Sequence, residues 1–139
     1  MKLSDIYTRH VVTAEPDESL ATVARKMDEH NVGTVVVLDD GRPVGIITDR
    51  DVALALGARR LGSDTPVEKV MSRHVLAVPE DASVFSATRY IRECGVRRLP
   101  IVDREDRVVG MVSMDDLLRT FAEELHNLAM GIEPEMAVR

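Results

Sequence analysis

Two short stretches of the sequence place a hydroxyl and an acid three residues apart, directly after a run of apolar residues. The first is GIITDRD, residues 45–51, in which Thr48 precedes Asp51, and the second is GMVSMDD, residues 110–116, in which Ser113 precedes Asp116. A hydroxyl and a carboxylate at this spacing form a capping box, which starts an α-helix by satisfying its first backbone N–H groups. Folding alone therefore accounts for both pairs.

The same geometry has a functional interpretation. A hydroxyl that opens a helix is expected to lie beside free backbone N–H groups and the positive end of the helix dipole, which together attract a phosphate. A carboxylate one turn later is able to accept hydrogen bonds from two vicinal ribose hydroxyls. The pattern is therefore compatible with a helix cap and with a nucleotide contact, and the same residues are able to serve both roles.

Both stretches belong to an internal repeat, since residues 16–52 and 79–117 align with one-residue adjustments. Each copy begins with apolar residues at helical spacing, behind a serine that suits the N-cap position. These residues are Leu20, Val23, Ala24 and Met27 after Ser19, and Val84, Ala87, Thr88 and Ile91 after Ser83. The pattern predicts one amphipathic helix in each copy.

Two β-branched runs joined by a polar turn follow each helix, at 39–41 in the first copy and 103–107 in the second. A second helix is expected from about Asp49 and from about Met114, and short strands are expected near 11–13 and 75–78. The sequence therefore predicts an α+β fold of two β-α-β-β-α repeats. One repeat has too little apolar surface for a secure core, so we expect the two to pack face to face around a pseudo-two-fold axis.

The predicted boundaries are 1–62 for the first repeat with an N-terminal segment, and 63–128 for the second with a linker helix near 67–71. Residues 129–139 are expected to form a poorly ordered tail. Before this tail, the apolar stripe of the last helix continues past the repeat and is a candidate for partner contact. It consists of Leu117, Leu118, Phe121, Leu125 and Leu128.

Composition excludes several classes of protein. A formal charge of −6 argues against a general nucleic-acid binder, which needs a broad cationic face. No apolar run reaches the ~20 residues that span a bilayer, and the N-terminus has no signal-peptide pattern, so a cytoplasmic protein is expected.

Cys94 is the single cysteine and is expected to be a buried thiol. The four histidines lack metal-ligand spacing, and no catalytic motif is present, so neither a metal, a required cofactor nor an enzyme is expected.

Together the motifs GIITDRDV, GMVSMDDL and VRRLPIVD, with a proline before each first helix, resemble a tandem pair of CBS domains, the cystathionine β-synthase type regulatory domain. The resemblance covers residues 2–120, and within the family the chain is most similar to small stand-alone CBS pairs. It implies an adenosine-containing ligand whose phosphate and ribose contact Thr48 and Asp51 in one cleft, and Ser113 and Asp116 in the other. It further places Thr13 and Ala77 at the edge of the purine.

The strands before each hairpin are expected to line an apolar slot for adenine, although core packing is the alternative role for their apolar members. They contribute Val32, Thr34 and Val36 in the first repeat and Val96, Arg98 and Pro100 in the second.

The repeats differ at charged positions, and this predicts unequal clefts. Arg97 and Arg98 replace Gly33 and Thr34, whereas Arg50 of the first repeat is replaced by Asp115. These arginines are the leading phosphate partners because a guanidinium donates two parallel hydrogen bonds to an oxyanion, with a solvated surface arginine as the alternative.

The expected function is that of a regulatory sensor in which an adenine nucleotide biases the arrangement of repeats or subunits. AMP is the first choice, and ATP, ADP, NAD and S-adenosylmethionine stay open. A homodimer and an unidentified protein partner are expected, without nucleic acid or membrane. The alternative is a ligand-free interaction scaffold that keeps the capping boxes for folding alone.

Overall fold

The computed structural model of the chain describes residues 1–138, and the side chains of residues 1–132. The first repeat contains β1 (Thr13–Ala14), α1 (Leu20–His30), β2 (Thr34–Asp39), β3 (Arg42–Thr48) and α2 (Asp49–Gly57). The second contains β4 (Val78–Pro79), α3 (Val84–Cys94), β5 (Arg98–Val102), β6 (Val108–Ser113) and α4 (Met114–Val138). Single 3₁₀ turns at Leu3–Asp5 and Val67–Lys69 precede the repeats. The predicted α+β fold of two β-α-β-β-α units is confirmed.

The first helix of each repeat starts at the serine that its sequence predicts as the N-cap. The hydroxyl of Ser19 accepts a hydrogen bond from the Thr22 N–H at 3.1 Å, and that of Ser83 accepts one from the Ser86 N–H at 3.1 Å. Left-handed residues close both helices, Asn31 with φ 52° and Gly95 with φ 66°. This conformation turns the chain from each helix into the strand that follows.

Each repeat forms a three-stranded sheet in which a parallel first strand joins an antiparallel hairpin, in the orders β1-β2-β3 and β4-β5-β6. The predicted turn at 39–41 is confirmed, with positive φ at Asp40 (52°) and Gly41 (78°). The longer turn of the second hairpin has a positive φ at Asp106, 63°. Such conformations are typical of tight hairpin connections.

One face of each sheet packs on its own helices. In the first repeat Val35, Val37 and Ile47 of this face are fully buried and share a core with Leu20 and Val23 of α1. The corresponding core of the second repeat contains Leu99, Ile101 and Val112 from the strands and Val84 and Ala87 from α3.

The other face of each sheet is turned towards the opposite repeat. Val36 and Pro100 alternate with core residues along their strands, so they lie on the face away from the helices. Both are nevertheless buried. The two sheets therefore meet face to face, which confirms the predicted packing of the repeats around a pseudo-two-fold axis.

The segment in front of each repeat packs on the other repeat. Leu3, near the N-terminus, is fully buried in the core of the second repeat, whereas Val67 and Met71 of the linker are buried in the core of the first. Thr8 exchanges two backbone hydrogen bonds of 2.9 Å with Met111 of β6. In the same way Ser72 exchanges bonds of 2.8 and 2.9 Å with Ile46 of β3. The two repeats are thus joined by an exchange of segments.

The glycines that open the repeated motifs make room for these segments. A Cβ atom on Gly45 would meet the side chain of Met71, and one on Gly110 would meet the ring of Tyr7 and the Thr8 carbonyl oxygen at 2.7 Å. Both glycines are themselves buried. The repeated glycine is therefore required by a close approach across the last strand of each hairpin.

Cys94 differs from the sequence expectation, because its side chain is exposed and not buried. It is the last residue of α3, where Gly95 turns the chain away, and the neighbouring Arg92, Glu93 and Gly95 are exposed as well. The linker contains a 3₁₀ turn at Val67–Lys69, within the stretch near 67–71 where the sequence analysis expects a helix. No helix of the described residues is long and apolar enough to cross a membrane.

Helix α4 continues beyond the second repeat to Val138. Part of the predicted tail, 129–139, lies outside the residues whose side chains are described, so its poor order stays a prediction. Before it, Leu118, Leu125 and Leu128 are 59%, 66% and 67% exposed. Leu118, Leu125 and Leu128 of the apolar stripe are therefore uncovered on this chain, whereas Leu117 is buried and Phe121 is half-buried against the core of the second repeat.

Candidate functional site

The repeated hydroxyl and acid form complete capping boxes in both repeats. At the start of α2, Thr48 Oγ1 accepts a hydrogen bond from the Asp51 N–H at 3.2 Å, and Asp51 Oδ2 accepts one from the Thr48 N–H at 2.9 Å. At the start of α4, Ser113 and Asp116 make the same two bonds, each at 3.0 Å. The cap predicted from the spacing is confirmed twice.

The expectation of free N–H groups at these helix starts is wrong for α2. The Asp49 N–H donates to the Gly33 carbonyl at 3.0 Å, the Arg50 N–H donates to Asp49 Oδ1 at 2.9 Å, and the Asp51 N–H is engaged by the cap. The first three backbone N–H groups of α2 are therefore already hydrogen-bonded, two to side chains and one to the residue that precedes β2. An anion near α2 therefore depends on side-chain donors and on the helix dipole.

The caps leave chemistry available on the same residues. Each hydroxyl oxygen uses a lone pair for the cap, so its own O–H hydrogen is able to donate to an external acceptor. Each carboxylate uses Oδ2 for the cap and retains Oδ1. For Asp116 this second oxygen lies 3.8 Å from Arg119 Nη1, whereas Asp51 has no salt bridge among the described residues.

A cleft of about 300 Å³ between the repeats contains the first pair, and we refer to it as the Thr48 cleft. Its repeat-one wall comes from β2, β3 and α2, and its other wall comes from the linker and the start of β5. The lining residues are Thr34, Ile46, Thr48, Asp51, Ser72, His74, Val96, Arg97 and Arg98. An apolar slot, a hydroxyl, a carboxylate and two guanidinium groups therefore face one space.

A second cleft of about 240 Å³ contains the other pair, and we refer to it as the Ser113 cleft. It is lined by Thr8, His10, Val11, Val12, Asn31, Val32, Gly33, Thr34, Arg98, Met111, Ser113 and Asp116. In both clefts the capping acid of one repeat faces the chain segment that leads into the hairpin of the other repeat. The clefts are thus related by the pseudo-two-fold axis, but only the Thr48 cleft contains Arg97.

Nine of the predicted ligand residues line these clefts. They are Val32, Thr34, Thr48, Asp51, Val96, Arg97, Arg98, Ser113 and Asp116. Five others do not line either cleft, and their ligand contacts stay predictions. Val36 and Pro100 are buried between the sheets, Arg50 is exposed on α2, and Thr13 and Ala77 are half-buried.

Sequence reasoning did not identify several residues of the clefts. His10 and His74 occupy equivalent positions before the first strands, and the structure places one in each cleft. Thr8 and Ser72, like Ile46 and Met111, form further equivalent pairs with one member in each cleft. Their signal in the sequence was the repeat spacing, which relates residues that precede the recognised motifs.

A larger cavity of about 350 Å³ lies at the turn between β5 and β6, far from the repeated motif. Its charged lining is mainly acidic, with Glu80, Asp81, Asp103 and Asp106 around Arg104. This excess of negative charge disfavours an anion in this cavity. In the described part of the chain, no group of three or more histidine, cysteine, aspartate or glutamate residues is placed to hold a metal ion.

Comparison with known proteins gives matches over most of the chain. The sequence profile of the CBS domain matches residues 3–58 and 67–123. An uncharacterized 17.7 kDa protein of Acidianus ambivalens is 39% identical over 131 residues, which cover 94% of this chain and 78% of that protein.

Two solved structures with bound ligands have the same fold. The CBS domain pair of protein MJ0100, solved with 5'-methylthioadenosine and S-adenosyl-L-methionine, is 30% identical with a TM-score of 0.79 and covers 89% of this chain and 98% of that one. The CBS domain protein PAE2072 of Pyrobaculum aerophilum, complexed with AMP, is 25% identical with a TM-score of 0.79 and covers 91% and 99%.

Proposed function

This chain belongs to the CBS domain family, and we propose that it is a regulatory module that binds an adenosine-containing ligand in the clefts between its repeats. The observation that carries the proposal is the Thr48 cleft, where a hydroxyl, a carboxylate and two arginines surround an apolar slot. The adenosine ligands of the MJ0100 and PAE2072 structures support the same class of ligand.

Each part of an adenine nucleotide has a chemical partner in the Thr48 cleft. Asp51 Oδ1 accepts from the ribose hydroxyls, while the Thr48 O–H and the guanidinium groups of Arg97 and Arg98 donate to phosphate oxygens. Ile46 and Val96 provide the apolar walls for the purine. AMP is our first choice, because one phosphate is satisfied by these few donors, and ADP, ATP, NAD and S-adenosylmethionine are the competing ligands.

A ligand in this position contacts both repeats, and this provides the regulatory effect. Asp51 belongs to the first repeat and Arg97 to the second, so the bound molecule favours the arrangement that presents both groups to it. Catalysis is not part of the proposal. Another protein or the oligomer responds to the ligand-bound arrangement. We place the protein in a reducing cytoplasm.

The test is a calorimetric titration of the purified protein with AMP, ADP, ATP, NAD and S-adenosylmethionine. We expect saturable binding that is weakened by Asp51→Asn in the Thr48 cleft and by Asp116→Asn in the Ser113 cleft. Asparagine keeps an oxygen for the helix cap, but its amide nitrogen donates where the carboxylate accepted. Asp39→Asn in the exposed hairpin turn is the matched control and is expected to bind as the wild type does.

Absence of heat with every ligand, from folded protein free of ligand carried over from the expression host, would refute the sensor. The second candidate, an interaction scaffold, is favoured by one observation, which is that both capping boxes are complete without a ligand. For a scaffold, replacing Asp51 or Asp116 by alanine would cost about 0.5–2 kcal/mol of stability and change no ligand response.

We further propose that a second copy of the chain covers the apolar face of α3 and α4. Phe85 on α3 is 66% exposed and stacks on Phe121 of α4 with ring centroids 6.2 Å apart. The apolar residues of α4 follow the 3-4-3-4 spacing of helices that pair along their length, from Leu118 through the half-buried Phe121, Leu125 and Leu128 to Ile132. Sedimentation velocity should show a dimer in the wild type and a monomer after Leu125→Glu, and a wild-type monomer would refute this interface.

A further inference from the structure

The two clefts have two residues in common. Thr34 begins β2 and Arg98 begins β5, and each lines both the Thr48 cleft and the Ser113 cleft. They are equivalent in the two repeats and therefore lie where the clefts adjoin, across the pseudo-two-fold axis. One of the pair is a small neutral hydroxyl and the other is a long cation, so the charge shared by both clefts belongs to Arg98.

The other basic groups are divided unequally between the clefts. Of the two clefts, the Thr48 cleft is lined by Arg97 and His74 and the Ser113 cleft by His10, and Arg97 also lines a small space of about 20 Å³ beside Ser113 and Asp115. The Thr48 cleft therefore has two guanidinium groups, whereas the Ser113 cleft has one, and that one is shared. A phosphorylated ligand is expected to fill the Thr48 cleft first.

The side chain of Arg98 is available to either cleft. It is exposed, and no salt bridge or side-chain hydrogen bond among the described residues engages its guanidinium group. By contrast, Arg107 and Arg119 lie 3.8 Å from acidic side chains. A bidentate pair to one oxyanion holds the whole side chain in one rotamer, which directs the guanidinium group into one cleft.

We propose that Arg98 couples the two clefts, so that a phosphorylated ligand in the Thr48 cleft draws this arginine to itself and weakens a second one in the Ser113 cleft. The proposal rests on the proposed function, because it assumes that both clefts accept an adenosine ligand. Once Arg98 is engaged, the Ser113 cleft offers the second phosphate only His10 as a basic group. A nucleoside without phosphate has no use for the guanidinium group and is not subject to this competition.

The experiment compares AMP affinity for the Ser113 cleft when the Thr48 cleft is filled and when it is blocked. In a calorimetric titration of the wild type, the Ser113 cleft is the weaker of two sites and is measured with the Thr48 cleft filled. In Asp51→Asn the Thr48 cleft is blocked, and the titration reports the Ser113 cleft alone. We expect AMP to bind the Ser113 cleft on the order of tenfold more tightly in Asp51→Asn, a coupling within the range usual for linked sites. With adenosine as the probe, the same ratio should be close to one.

Arg98→Thr tests whether this residue carries the coupling. Threonine is the equivalent residue of the first repeat and suits an exposed strand position, so the variant is expected to fold. When Arg98 is replaced, the affinity of the Ser113 cleft for AMP should be about the same with and without Asp51→Asn, a ratio of about one. Arg92→Thr on the exposed surface of α3 is the control and should leave this affinity ratio unchanged. Circular dichroism of each variant verifies the fold.

The outcomes separate the two proposals. Two independent AMP sites of unchanged affinity would overturn the coupling and leave the proposed function intact. A tenfold ratio that persists in Arg98→Thr would also overturn it, because direct repulsion between the phosphates would then be the cause. If neither AMP nor adenosine binds the wild type, both proposals fail together.

Discussion

At Thr48 and Ser113, the needs of the fold and of a ligand are met by different atoms of one side chain. The oxygen of each hydroxyl accepts from the N–H three residues later, and its hydrogen is left to donate elsewhere. The same division applies to Asp51, whose Oδ2 caps the helix while Oδ1 makes no hydrogen bond among the described residues. The choice between cap and ligand contact that the sequence left open is therefore not a choice between exclusive roles.

A charged pair near β1 is a feature of the first repeat alone. Lys26 Nζ lies 2.8 Å from Glu18 Oε1 and also donates to the Thr13 carbonyl at 2.8 Å, which ties α1 to β1. Desolvation by itself raises the pKa of Glu18, but hydrogen bonds from Lys26 and from the Glu15 N–H, with the charge of Lys26, outweigh it and lower the pKa below 4.5. The second repeat has Ala82 and Tyr90 at the equivalent positions and lacks this pair.

This pair predicts a pH dependence of stability. Because the folded-state pKa of Glu18 is lowered, its ionised form stabilises the fold above pH 4.5, and this contribution is lost as the pH falls through the folded-state pKa. Glu18→Gln should therefore lower the melting temperature at pH 7, and the difference from the wild type should shrink below about pH 4. Glu29→Gln at the exposed end of α1 is the control, and a difference that is constant with pH would contradict the prediction.

At the scale of the elements, local sequence predicted most of the fold. The Ser caps, the hairpin turns and the starts of α2 and α4 depend on neighbouring residues, so they are visible in a single sequence. The glycines at 45 and 110 were visible as part of a motif, but their role was not. Their role depends on Met71 and Tyr7, which are distant in sequence and approach only after the segments are exchanged.

The two glycines should respond differently to substitution. In Gly110→Ala the new Cβ meets the Thr8 carbonyl oxygen at 2.7 Å as well as the Tyr7 ring, whereas in Gly45→Ala its three nearest atoms all belong to the flexible side chain of Met71. Overpacking of this kind costs about 1–3 kcal/mol, and we expect Gly110→Ala to lie at the upper end and Gly45→Ala at the lower end. Urea denaturation measures the difference.

Gly57→Ala provides the control for this comparison. Nothing lies within 4 Å of a Cβ at this position in α2, so alanine should stabilise the protein by about 0.4–1 kcal/mol through the unfolded state. Equal losses for Gly45→Ala and Gly110→Ala would show that the carbonyl contact at Thr8 is not the cause.

At the scale of the whole molecule, the composition of the clefts could be predicted only in part. The hydroxyl and the acid of each motif were predicted because both lie in the first turn of one helix and are close together in the sequence. The pairing of Asp51 with Arg97, and of Asp116 with Val32, requires the opposing sheet and was not visible. The same holds for His10 and His74, whose positions depend on which repeat receives the segment before each first strand.

The exchange of segments predicts that damage near one end of the chain appears in the opposite repeat. Leu3 is fully buried among residues of the second repeat, including Leu99 and Val112. Leu3→Ala should cost about 2–5 kcal/mol and should increase hydrogen exchange in α3 and β6 before it does so in α1 and β3. Val67→Ala should do the reverse, because its side chain belongs to the core of the first repeat. If Leu3→Ala loosened β3 first, the N-terminal segment would have to pack on its own repeat in solution, and the Ser113 cleft would lose the wall that Thr8 provides.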